Sequence, residues 1–253
     1  MTATPETAAA TAGVAGAAPK PVPARPPRVA RARAWTAWGV VAGMLGFTAT
    51  VLLDTRPLSE MEAIGAGELY AVSAADMSSV ERMTNYAGFL VGFAAVAAMV
   101  VFAAAWRKWV EERFSHSVAA RVVSGGLYIT AAGLTLSYGW KGALANYGYG
   151  GNEFGMFDDA GLYVYYMLTD FGPYLPWFGV LIVAGAWAWM AWREKLVSRV
   201  LGTLSGLYAL GVAGMMVAIA VPGLPGPFGG LFLAFGSAWL MLGRSTITRA
   251  VIA

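Results

Sequence analysis

The chain has 253 residues, of which 58% are apolar and 12% charged, with a formal net charge of +3; an ordinary soluble domain is roughly 45–50% apolar and 25% charged. That balance excludes an ordinary water-facing globule. Cysteine is absent and His116 is the one histidine, which excludes disulfides, thiolate metal sites and any haem or zinc site built on two imidazoles.

Residues 1–34 are rich in Ala, Thr and Pro, with prolines clustered over 21–27. Such a segment sustains neither a helix nor a core, and it reads as a disordered, basic cytoplasmic tail. Basic residues followed by an apolar run also describe a secretory signal, but 51–56 offers no small-x-small cleavage pattern, so the first apolar run is read as a retained span.

Six apolar stretches follow, at 35–53, 86–106, 122–140, 174–192, 200–221 and 224–243, and none contains Asp, Glu, Lys or His. Each is close to the roughly 20 residues that carry a helix across a hydrocarbon core, where helices satisfy their own backbone groups. Buried helices of a large soluble core would need polar helices to cover them, and the sequence has none. The expected fold class is all-α: a polytopic membrane bundle of six transmembrane helices with both termini cytoplasmic.

Orientation rests on the basic residues, which are enriched on the cytoplasmic side of spans. If the spans alternate, fourteen of the seventeen fall on one side: Lys20 to Arg33, Arg107 to Arg121, Arg193 to Arg199, and Arg244 with Arg249. Arg56, Arg82 and Lys141 remain opposite, among ten acidic residues. Tryptophans sit near span ends, Trp35, Trp38, Trp106, Trp109 and Trp192 inside, Trp140 and Trp177 outside, and read as interfacial anchors.

The outer loop 54–85 has helical potential at 58–64 and 67–72. Ser78 with Glu81 three residues later matches a capping box. In the turn 107–121, His116 reads as a solvated side chain. The second outer loop, 141–173, carries glycine-rich 146–159 and then aromatic 160–170. Asp158 or Asp159 is placed to cap a short helix reaching Thr169, with Tyr163, Tyr165, Tyr166 and Met167 at the interface, and Pro173 and Pro176 restart the chain. Lys141, at the end of the third span, is expected to snorkel to water or to pair with a loop acid.

Gly39 with Gly43, Gly88 with Gly92, and Gly202 with Gly206 make GxxxG pairs, a spacing that admits close helix approach in lipid; oligomerisation does not follow from them. The halves share no motif, so the inverted repeat of many transporters is not supported. Thr48, Thr130, Thr135, Ser137 and Ser205 are expected to bond back to their own helices. The uncharged spans remove most of the basis for a midplane proton or ion pathway. No dinucleotide, phosphate-loop or HExxH motif occurs, so no cofactor and no metal is expected, and topology accounts for the positive charge without nucleic acid.

The chemistry is concentrated in the outer loop. Glu153, Asp158, Asp159 and Asp170 suit a hard cation, acid and base roles, or a cationic or amphiphilic ligand held beside tyrosines. The plain alternative is an acidic rim with tyrosines at the lipid boundary. Tyr163, Tyr166, Asp170 and Lys141 are the ligand-binding candidates; Glu153, Asp158, Asp159 and Asp170 are the catalytic ones. The six-span plan, the extended first outer loop, the run Leu175-Pro-Trp-Phe-Gly and the basic segment Arg193 to Arg199 resemble bacterial six-span integral membrane families of unknown function, a resemblance that implies the fold and no activity. Thirteen arginines against four lysines point to a GC-rich bacterial genome. The expected role is a plasma-membrane component for small-molecule binding, permeation or assembly, in contact with the lipid bilayer and with a small ligand or a membrane-protein partner. The alternatives are an enzyme acting on a lipidic substrate and an accessory subunit.

Overall fold

A computed structural model describes residues 33–243 and 245–249; residues 1–32 of the expected tail, Arg244 and 250–253 lie outside the described residues. The described chain is helical and, among these residues, has no strand. Among the described residues six helices are long and apolar enough to cross a membrane, and each overlaps one of the six apolar stretches, the fourth running from Asp159 through α5 to Trp192. Eight α-helices are present among the described residues: α1 (Ala37–Phe47), α2 (Leu58–Ala66), α3 (Arg82–Trp106), α4 (Val118–Tyr147), α5 (Asp159–Phe171), α6 (Phe178–Trp192), α7 (Arg199–Ile219) and α8 (Pro225–Leu242). The first span is α1 flanked by a 3-10 turn, Ala34–Thr36, and a π-helical turn, Thr48–Leu52.

Helix starts follow from side chains that accept otherwise unpaired backbone N–H groups. Ser117 accepts from the Ala120 amide, Asp158 from Gly161, and Ser198 from Leu201. Glu81 accepts from both Met83 and Thr84. This corrects one expectation, because Glu81 is itself the cap of α3 and not the far partner of Ser78. The capping box of this loop is instead Ser73 with Asp76, opening the 3-10 turn Ala74–Ser79. Residues 67–72 are not helical either: Gly67, at φ 75°, ends α2 in a left-handed conformation that suits glycine.

Helices in lipid gain little from the hydrophobic effect and pack through close, small-residue contacts. All three GxxxG pairs meet other helices of the same chain. Gly39 and Gly43 of α1 lie on α8 at Ser237, Gly230 and Ala234, while Gly202 and Gly206 of α7 face Ala191 and Ala188 of α6. Gly88 and Gly92 of α3 do something else: they receive the side chains of Lys141 and Tyr138 from α4. At the far edge, α7 is the least buried span, showing Leu207, Leu210 and Val217 to the surroundings.

Aromatic rings run through the half of the bundle where α1 begins and α3 ends. Trp35 stacks on Phe102, Trp106 lies 6.2 Å from Trp187, and Trp187 continues to Phe232, which stacks on Tyr208 at 4.2 Å. Trp35, Trp106 and Trp177 are therefore core residues, contrary to the expected anchoring role, and Trp38, Trp109 and Trp192 keep exposed positions suited to it. Position near a span end does not reveal which helix face a ring occupies; the packing partner decides that. At this end the 3-10 turn Thr246–Thr248 folds back: the Ile247 amide donates to Leu196 O, and Arg33 Nε donates to Thr248 O. The two ends of the described chain therefore meet at one end of the bundle.

Candidate functional site

At the opposite end, the two long loops fold onto each other. Met77, Leu144, Leu162 and Tyr166 make a second small core there, with Val72, Val80 and Tyr163 against it. Hydrogen bonds fasten it. Tyr163 donates to Val72 O at 3.0 Å, and Tyr166 donates to Glu60 Oε2 at 2.8 Å. These tyrosines thus face the first outer loop, which differs from their expected place at the lipid boundary. The lipid-type exposure on α5 falls to Val164, Met167 and Phe171, one helical stripe away.

Beneath this cap lies a cluster of ionisable groups. Arg56 reaches Glu60 at 2.7 Å and Asp54 at 3.6 Å, and both carboxylates keep only 15% of their side-chain surface exposed. Tyr174 donates to Asp54 Oδ2 at 3.2 Å. Asp170, partly buried at the end of α5, lies within electrostatic reach of Arg56 and Glu60 and has no hydrogen-bond partner among the described residues. Burial pushes the carboxyl of Asp54 above its usual range, against the opposing pull of Lys141 and Arg56. By formal count three carboxylates, Asp54, Glu60 and Asp170, stand against two cations, Arg56 and Lys141; burial pushes the carboxyl of Asp170 up as it does that of Asp54.

Lys141 is 0% exposed. Neither sequence expectation for it holds, since it does not snorkel and does not bond a carboxylate of loop 141–173. Its Nζ donates to Ala49 O at 3.0 Å and Leu53 O at 2.7 Å. The cause is the π-helical turn of the first span, whose widened ladder leaves carbonyls available. Gly88 opens the path for the lysine stem: a Cβ there would press on Lys141 Cδ.

One helical turn deeper, at the same π turn, a chain of neutral groups continues inward. Trp177 Nε1 donates to Thr50 Oγ1 at 3.1 Å, Thr50 and Tyr138 share a 2.8 Å hydrogen bond, and Tyr138 donates to Gly46 O at 3.3 Å. One donor assignment satisfies all three: indole to Thr50, Thr50 to Tyr138, Tyr138 to Gly46 O. Thr130, Thr135 and Ser137 bond back to carbonyls of their own helix as expected, Ser137 also reaching Gly172 O; Ser205, expected to do the same, is buried with no hydrogen-bond partner among the described residues.

The remaining sequence candidates stand apart from the cluster. Asp158 holds the start of α5, Asp159 accepts from the Tyr149 hydroxyl at 2.9 Å, and Glu153 lies beside Tyr147. Of the candidates, the structure joins Tyr166, Asp170 and Lys141 to one cluster, with Tyr163 holding the cap above. Asp54, Arg56, Glu60, Tyr138 and Tyr174 were not singled out by sequence reasoning. A usable signal was present, because Tyr138 and Lys141 share one α4 face at i, i+3 while Gly88 and Gly92 share one α3 face at i, i+4. Among the described residues no three carboxylate or imidazole groups converge on one ion position. No family model matches the chain, and neither a characterised protein nor a solved structure matches it.

Proposed function

We propose that the chain is a multi-pass protein of a bacterial plasma membrane, with both termini cytoplasmic, a basic tail over 1–34, and loops 54–85 and 141–173 outside. Its role on this reading is to bind a small organic cation beneath the outer cap. The observation that carries it is Asp170: a partly buried carboxylate without a hydrogen-bond partner among the described residues, the one group of the cluster left without a counter-charge once Asp54 and Glu60 are set against Arg56 and Lys141. An organic cation suits this better than a bare metal ion, which needs several convergent oxygens. Entry on this reading is by α2 alone lifting away while Met77 stays in the small core, and α2 buries none of its nine residues, so lifting it uncovers little apolar surface.

The enzyme reading has less support, since Asp158, Asp159 and Glu153 are engaged with backbone or tyrosine partners. The test is a titration of the purified full chain with tetramethylammonium, followed by tryptophan fluorescence and thermal midpoint. Binding is expected in the wild type, with affinity reduced about tenfold or more in Asp170→Asn, given the strength of interactions with a charged group. Equal affinities in the two, or no binding in the wild type, would refute the reading. Alanine replacement of Glu153, Asp158 and Asp159 should leave binding in place.

A further inference from the structure

Arg82 opens α3 at the cap end of the bundle and forms no salt bridge among the described residues. Its Nε donates to Ala145 O at 3.0 Å, which fixes the guanidinium against the end of α4 and leaves its two NH2 groups unpartnered there. The other two basic residues at this end are engaged, Arg56 with Asp54 and Glu60, and Lys141 with backbone carbonyls. Arg82 also lines a groove of about 380 Å³ between α3 and α4.

The groove has an order to its polarity. Arg82, Asn146 and Asn152 line its loop end, and Tyr86, Phe89 and Gly139 line the part toward the middle of the bundle. Arg82 to Phe89 on α3 and Asn146 to Gly139 on the antiparallel α4 are each seven residues, or about 10 Å at 1.5 Å per residue. Both walls therefore change from cationic and amide groups to aromatic and backbone surface over the same depth. Gly139 keeps the floor open, since nothing lies within 4 Å of a Cβ built there.

From this arrangement we infer that the α3–α4 groove holds one glycerophospholipid, its phosphate on Arg82 and the two asparagine amides and an acyl chain against Tyr86, Phe89 and Gly139. An unpaired guanidinium is matched to phosphate oxygens, and the apolar depth matches an acyl chain, which a soluble anion lacks. The inference is independent of the cation reading: it uses a different face of α4 and none of the cluster residues.

The full chain, reconstituted in nanodiscs with a phosphatidylglycerol carrying a photoreactive acyl chain, tests it. Crosslinks should map to the stretches around Tyr86 to Phe89 and Gly139, and unlabelled phosphatidylglycerol should compete, while diacylglycerol and inorganic phosphate should not. Arg82→Gln should reduce crosslinking about tenfold, as for loss of a charge-assisted hydrogen bond. Gly139→Leu should abolish it by filling the floor while keeping Arg82 and its bond to Ala145. Competition by diacylglycerol equal to that by phosphatidylglycerol would reduce the groove to ordinary annular lipid. Displacement by inorganic phosphate would make it a free-anion site, and unchanged crosslinking in Gly139→Leu, with its thermal midpoint retained, would overturn the inference outright.

Discussion

A lysine with no exposed surface needs its ammonium compensated by hydrogen bonds or by charge, and Lys141 has both, two carbonyls of the first span and the nearby carboxylate of Asp54. Lys141→Met keeps the apolar stem and removes the donors, so Ala49 O, Leu53 O and Asp54 lose their partner together. The expected cost is about 3 kcal/mol, in the range for breaking a buried charged interaction, read as a lower unfolding midpoint in detergent; an unchanged midpoint would contradict the assigned role. Asp76, half-buried near the surface of the first long loop, behaves differently. Its carboxylate accepts from the Tyr70 hydroxyl, the Ser73 amide and the Ser59 hydroxyl, and these bonds hold its pKa down at about 2, below an ordinary value of 3.8. A depressed acid contributes stability that is complete above its unfolded value and fades as pH falls through its folded one. Protection of the Ser73 amide from hydrogen exchange should therefore hold above pH about 4 and decline toward pH about 2, and Asp76→Asn should remove that pH dependence.

Glycines separate into two kinds once the helices are packed, and substitution should tell them apart. A Cβ on Gly43 would collide with the backbone of α8 at Gly230 and Ala234, whereas one on Gly125 of α4 would meet nothing within 4 Å. Gly43→Ala must push α1 from α8 and is expected to cost about 1–3 kcal/mol. Gly125→Ala should be neutral or stabilise by up to about 1 kcal/mol through helix propensity, so chemical unfolding of the two variants should shift in opposite directions or by clearly unequal amounts. The contrast also shows what the sequence carries. Long uncharged runs identify the six spans because the hydrocarbon requirement acts on each run by itself. The short helix α5 with an aspartate cap at Asp158 or Asp159 was legible for the same reason, and the structure selects Asp158: the signal is local. Neighbour identity is not local, so Trp106 and Trp177 read as anchors until their packing partners are known, and Gly88 and Gly92 read as a backbone contact when they house Lys141 and Tyr138. The π turn at Thr48–Leu52 left no mark in residue type that distinguishes it from continuing α-helix, which is why the partner of Lys141 could not be read in advance.

The bundle has two chemically unlike ends, and the difference bears on how it sits in a membrane. Arg33 and Thr248 are hydrogen-bonded at one end, where the turn containing Arg107, Lys108 and Arg113 and the segment from Arg193 to Arg199 also lie in alternate connections of the chain. At the other end the cap gathers Asp54, Glu60, Asp76, Glu81 and Asp170. Retention of basic segments in the cytoplasm therefore predicts the cap outside. The chain contains no cysteine, so a single introduced cysteine reports its own side without background. Glu68 and Ser115 are both exposed, one in the first outer loop and the other in the turn after α3, and neither takes part in the packing described above. In intact cells a membrane-impermeant maleimide should label Glu68→Cys, and it should reach Ser115→Cys only after permeabilisation. The reverse pattern would invert the protein and with it the outward access assumed for the cation site. Labelling of both from outside would break the alternation of spans on which the orientation depends, and the basic residues would then need another explanation.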